Sequence, residues 1–193
     1  MNDFLFYFTE GWKHIISTDA FDHQLFVLTL AVMYSFREWK KVLILITAFT
    51  IGHSATLVLG VLDILHIHRG TVEFLIPLTI ICTAVWNLAG NKKDHRMNLN
   101  YFLALFFGLI HGLGFAETIR VMLARDQSLA LGILGFNTGL EAGQVLVVLI
   151  ILFMTKLIVD LVRVPQKTYT VAVSLTVAVL SVNIAWNRFP YVF

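Results

Sequence analysis

Six apolar runs, near residues 20–36, 42–62, 72–89, 101–117, 129–155 and 168–187, alternate with short charged connections. About 20 helical residues cross a hydrocarbon layer roughly 30 Å thick, so runs of this length belong in a membrane. The rest of the composition agrees. Mean hydropathy is +0.81, and 13% of residues are charged, against the roughly 25% of a soluble domain. With 193 residues in all, six or at most seven spanning helices fill the chain and leave no room for a separate soluble domain.

The first run is the weakest. Before it, residues 4–16 alternate apolar and polar side chains around Trp12 and Lys13, which predicts an interfacial helix or a re-entrant lead-in rather than a crossing. The expected fold is therefore all-α, a single polytopic membrane domain over residues 1–193. It comprises six transmembrane helices and an N-terminal interfacial segment. No charged segment, short apolar run and small-residue cleavage site open the sequence, so no removable signal peptide is expected.

The lone cysteine, Cys82, falls inside an apolar run, which rules out an internal disulfide and a paired-cysteine metal site. The net charge of +2 is small, and the basic residues sit in connections rather than in one stripe. Nucleic acid is not an expected partner. Membrane topology explains these charges better. The connections after the first, third and fifth runs carry nine basic residues: Arg37, Lys40, Lys41, Lys92, Lys93, Arg96, Lys156, Arg163 and Lys167. The opposite side carries five, Lys13, Arg69, Arg120, Arg125 and Arg188. The positive-inside rule then places both termini outside.

Within this frame the ionisable residues inside the apolar runs stand out. His23, His53 and His111 are three such residues, and Asp22 and Glu141 are two more. Ionisable groups in hydrocarbon are costly and normally face one another, water or an ion. Imidazole and carboxylate are also common ligands for divalent metals. In the expected topology His53 lies about 17 Å and His111 about 15 Å along outward-running helices, and Glu141 sits mid-way along an inward-running one. Asp22 and His23 begin the first run. All five can meet between the midplane and the outer surface, as one metal site requires.

Neighbouring residues extend the pattern. Gly135, Gly139 and Gly143 form a small-residue stripe suited to close helix packing, within the chain or between copies in a homo-oligomer. On the same helix Asn137, Glu141 and Gln144 form a second stripe, which can present ligands or hydrogen bonds that orient them. Gly108, Gly112 and Gly114 flank His111, and Gly52 precedes His53.

Blander roles compete at each position. A single histidine in a membrane helix often only bonds a neighbouring helix. Asp22 can orient a histidine or cap a helix start instead of binding metal, and Glu141 can carry a proton. Ser54 is read not as a nucleophile but as bonding the carbonyl of Thr50, with a supporting place beside the site. His66 and His68 read as a solvated outer loop and His95 as a solvated inner one. Trp12, Trp39, Trp86 and Trp186 mark span ends.

Four blocks follow one another along the chain: His14-Ile15-Ile16 with Phe21-Asp22-His23-Gln24-Leu25-Phe26; Thr47-Ala48-Phe49-Thr50-Ile51-Gly52-His53-Ser54; Phe107 to Phe115 around His111-Gly112; and Phe136-Asn137-Thr138-Gly139-Leu140-Glu141-Ala142-Gly143-Gln144. In that order they resemble the signatures of the HupE/UreJ family. The resemblance spans nearly the whole chain. It implies a small polytopic protein of the bacterial inner (plasma) membrane that acts as a nickel or cobalt permease or as an accessory factor of nickel enzymes. It also marks Asp22, His23, His53, His111 and Glu141 as the positions to watch. The longer spacing between His14 and Asp22 leaves His14 at the edge of the expected site.

Three functions follow. A divalent-metal permease would part-dehydrate nickel, cobalt or zinc at the imidazoles and a carboxylate, with Asn137 and Gln144 completing or orienting the sphere and protons competing at release. A membrane-embedded zinc hydrolase would activate water with Asp22 or Glu141 as base and act on a lipid or lipid-linked substrate. A metal-free scaffold would use the polar cluster for structure alone. The resemblance ranks the permease first.

Overall fold

The computed structural model describes residues 3–89, 97–123 and 129–191. His95, Lys92, Lys93, Arg96 and Arg125 lie outside them. The described residues form helices α1 (Asp3–Ile16), α2 (Phe21–Ala31), α3 (Trp39–Val61), α4 (Arg69–Ala89), α5 (Met97–Leu123), α6 (Leu129–Lys156) and α7 (Gln166–Arg188), joined by short helical turns. The five from α3 to α7 are each long and apolar enough to cross a membrane.

The first expected span differs. Only Phe21–Ala31 is helical as α2, and its 11 residues cover about 16 Å, too little to cross alone. The preceding α1 is no separate surface helix. It runs parallel to α6 in contact along its length: Gly135 faces Phe4, Gly139 faces Phe8, and Gly143 faces Ile15 and Trp12. A Cβ on Gly139 would strike the carbonyl of Phe8. The small-residue stripe, expected to serve packing within the chain or between copies, is thus filled by the chain's own N-terminal helix.

Between α1 and α2 the chain breaks at Ser17 and a single 3-10 turn, Thr18–Ala20. The Gln24 side chain spans this break, donating to the carbonyls of Ile15, Ile16 and Ser17 at 3.0, 3.3 and 3.0 Å. The carbonyls of Ile15 and Ile16 are acceptors that the end of α1 leaves without intrahelical partners, whereas that of Ser17 also accepts from the Ala20 amide at 3.1 Å. Beyond it, α2 ends beside the start of α7, where Gln166 and Thr170 both donate to the Val32 carbonyl.

A second parallel pair, α3 and α5, closes through glycines from both partners. Gly52 faces the backbone of Leu105 and Leu109, Gly108 that of Phe49, and Gly112 that of His53. The Thr56 hydroxyl donates across to the Leu109 carbonyl at 2.8 Å. On the far side α4 and α7 run antiparallel, with Arg188 donating to the Glu73 carbonyl at 3.0 Å. These directions put the start of α1 and the end of α7 at the same end of the bundle, called here the terminal face.

Candidate metal centre

At the break between α1 and α2 the imidazoles of four elements converge. His14 comes from the last turn of α1, His23 from the first turn of α2, His53 from the middle of α3 and His111 from the middle of α5. One ring nitrogen from each of His14, His23 and His53 lies within 4.8 Å of the others. His111 adjoins this trio, its ring centroid 5.1 Å from that of His23. Close approach at Gly52, Gly108 and Gly112 is what lets α3 and α5 bring His53 and His111 together.

The electrostatic state of these rings is telling. His23, His53 and His111 are buried, with 7%, 0% and 1% of their surface exposed. Nε2 of His14, His23 and His111, and both ring nitrogens of His53, are buried without a hydrogen-bond partner. Buried polar atoms left unpaired cost about 1–3 kcal/mol each, so five in one place call for an explanation. His111 is also oriented: its Nδ1 donates to the Phe107 carbonyl at 2.8 Å. That bond leaves the Nε2 lone pair free, which is how metal-binding imidazoles are commonly fixed. The donor set fits a borderline divalent cation.

The two carboxylates lie elsewhere. Asp22 forms an ion pair with Arg188 at 2.8 Å, tying the start of α2 to the end of α7. Adjacent residues on a helix point about 100° apart, and here His23 joins the three-histidine group while Asp22 does not. Glu141 accepts a hydrogen bond from Thr47 at 2.7 Å and lines a lateral groove between α3 and α6 of about 970 Å³, shared with Ser54 and Asn137. Ser54 donates to the Thr50 carbonyl at 2.7 Å, and Gln144 accepts from Thr50 at 2.8 Å. Neither carboxylate joins the three-histidine group. His14, expected at the edge, is a full member of it. The signal in the sequence was its place in the first of the four blocks, but no local rule gives the break at Ser17 and Thr18–Ala20 that brings it to His23.

His66 remains at the surface, paired with Asp63 at 2.6 Å, and Asp63 in turn meets Arg120.

Glu141→Gln provides a direct check on this arrangement. The amide oxygen can still accept from Thr47, so stability should change by about 1 kcal/mol or less. The metal bound per chain and its histidine coordination, read by X-ray absorption, should equal those of the unaltered protein. A lost ligand in that spectrum would put Glu141 back in the centre.

A polytopic helical membrane protein with a buried histidine cluster is the class that fold and site define. A family model described as HupE / UreJ protein matches residues 1–188. The chain belongs to the HupE/UreJ family, which is associated with nickel and cobalt handling. No curated protein and no solved structure matches it.

Proposed function

We propose that this protein is a permease for a divalent transition metal of the nickel and cobalt class, carrying the ion through the four-histidine centre. The observation behind this reading is the set of five buried, unpartnered ring nitrogens contributed by four separate helices. Neutral imidazoles bind nickel, cobalt and zinc well while rejecting hard cations such as magnesium and calcium. They bring no negative charge, so a bound ion keeps its full +2 in a low-dielectric setting. Such a site can bind and also release, as transport requires.

Two further features support transport over hydrolysis. Discontinuous helices meeting at a central site are typical of secondary transporters, and α1 and α2 form such a pair. Taken together they make the sixth crossing, with Lys13 of the last turn of α1 inside it; the remaining nine-to-four distribution of basic residues puts the terminal face outside, in a bacterial inner membrane. The carboxylates a hydrolase would use as base, Asp22 and Glu141, are held by Arg188 and Thr47 instead.

Proteoliposomes decide the matter. Saturable uptake of radiolabelled nickel or cobalt, lost in His23→Ala, is the expected result. One tightly retained zinc per chain with no flux of any divalent ion would reject the permease and leave the hydrolase.

A further inference from the structure

The four imidazoles are enclosed between two aromatic layers, stacked along the bundle axis. On the side of the terminal face, Phe115 of α5 and Phe136 of α6 stack with centroids 5.1 Å apart and planes at 16°. The His14 ring lies 4.0 Å from Phe115 and 5.6 Å from Phe136, and His53 lies 6.5 Å from Phe136. On the opposite side, Phe26 and Phe49 pack at 4.8 Å, with Phe107 6.1 Å from Phe26. His111 sits 5.3 Å from Phe26 and 5.0 Å from Phe49.

Helix direction assigns each ring to its layer. Phe115 is one turn beyond His111 on a helix running toward the terminal face; Phe49 and Phe107 are one turn before His53 and His111 on α3 and α5, which run the same way. Phe26 is one turn beyond His23 on α2, which runs away from that face. One turn is about 5.4 Å, so each layer sits directly above or below the imidazoles.

The layers are unequal. Phe26, Phe49 and Phe107 are 0%, 1% and 8% exposed, and Phe136 is 0% exposed. Of the nine rings in the centre and its two layers, only His14 and Phe115 are half-buried; the rest are buried. Toward the terminal face the imidazoles are covered by the half-buried Phe115 and the buried Phe136, while three buried rings close the other side.

We infer that Phe115 is the movable gate through which a cation reaches the histidine centre from the terminal face, and that the Phe26, Phe49 and Phe107 layer is the closed gate on the opposite side. This rests on the reading of the histidines as a cation site. Rotation of Phe115 about its side-chain torsions uncovers the side of His14 that this ring covers at 4.0 Å, while the buried Phe136 stays in place. On the other side Phe107 packs on Phe26 and borders a cavity of about 230 Å³, but Phe26 and Phe49 pack on each other and on His111, so opening there requires these two buried rings of α2 and α3 to part. The centre is thus poised for loading from one side only, as alternating access demands.

Two rates in the purified full-length protein test this, one of them independent of metal. The first is modification of the buried histidines by diethyl pyrocarbonate in metal-free protein, mapped by mass spectrometry to His14, His23 and His53. The second is nickel association by stopped flow. Phe115→Ala should raise both rates by roughly tenfold or more and leave the amount of nickel bound unchanged. Phe115→Trp, which keeps and enlarges the cover, should slow both. Phe49→Ala should change neither association nor modification as strongly, since two rings remain in its layer. Unchanged rates in both Phe115 variants would overturn the gate, whatever nickel does. Faster modification in Phe115→Ala without any nickel binding would uphold the gate and reject the cation reading instead.

Discussion

Replacing His53 with alanine is expected to abolish nickel-dependent stabilisation and to weaken nickel binding by at least about 100-fold, the upper range for losing even an outer supporting group of a metal site. His53 is the most enclosed of the four, at 0% exposure, and neither of its ring nitrogens has a hydrogen-bond partner. In the absence of an ion the imidazole contributes packing alone, so its removal costs the fold a cavity rather than a bonded network. The two contributions separate in a thermal melt with and without metal. A ligand present at 100 times its dissociation constant stabilises the native state by about 2.7 kcal/mol. The unaltered protein should show such a gain with nickel. His53→Ala should melt somewhat lower without metal and show no gain with it. Equal gains in both proteins would place the ion away from this centre.

Gly139→Leu should have the second largest effect, and by a different route. The Cβ position at Gly139 is already occupied by the backbone of Phe8, and backbone cannot move aside as a flexible side chain can. Overfilling a packed interface costs about 1–3 kcal/mol, sometimes more. Here α1 has to lift from α6, and it takes His14 with it. Bound metal should then show one fewer histidine by X-ray absorption, and protease should release the N-terminal segment faster. Gly139→Ala should lie between the two. Full four-histidine coordination in a folded Gly139→Leu protein would show that the seating of α1 on α6 does not position His14.

Much of this was legible in the residues. Five apolar runs became α3 to α7 because a run of about 20 apolar residues has one low-energy solution in hydrocarbon, the helix. The histidines were legible for the related reason that an ionisable group kept in such a run needs a partner. His23 and His53 meet in one group, and His111 adjoins them. The bond from Ser54 to the Thr50 carbonyl follows from chain-local geometry, and it is present.

Other features were decided by packing. Residues 4–16 look interfacial because Thr9, Glu10 and Lys13 interrupt the apolar pattern, yet the glycine stripe of α6 seats the segment lengthwise in the bundle. Asp22 and Glu141 stand at suitable depths but point elsewhere, since depth follows from sequence spacing while rotation about a helix axis follows from which neighbour packs where. The stripe of Gly135, Gly139 and Gly143 announced a close partner without naming it. Sequence by itself determined that this chain is a membrane helix bundle with buried imidazoles, because hydropathy and ionisation are properties of single residues. Which imidazoles meet, which carboxylates turn away and where the first helix breaks belong to the tertiary structure, because each depends on the contact of helices far apart along the chain.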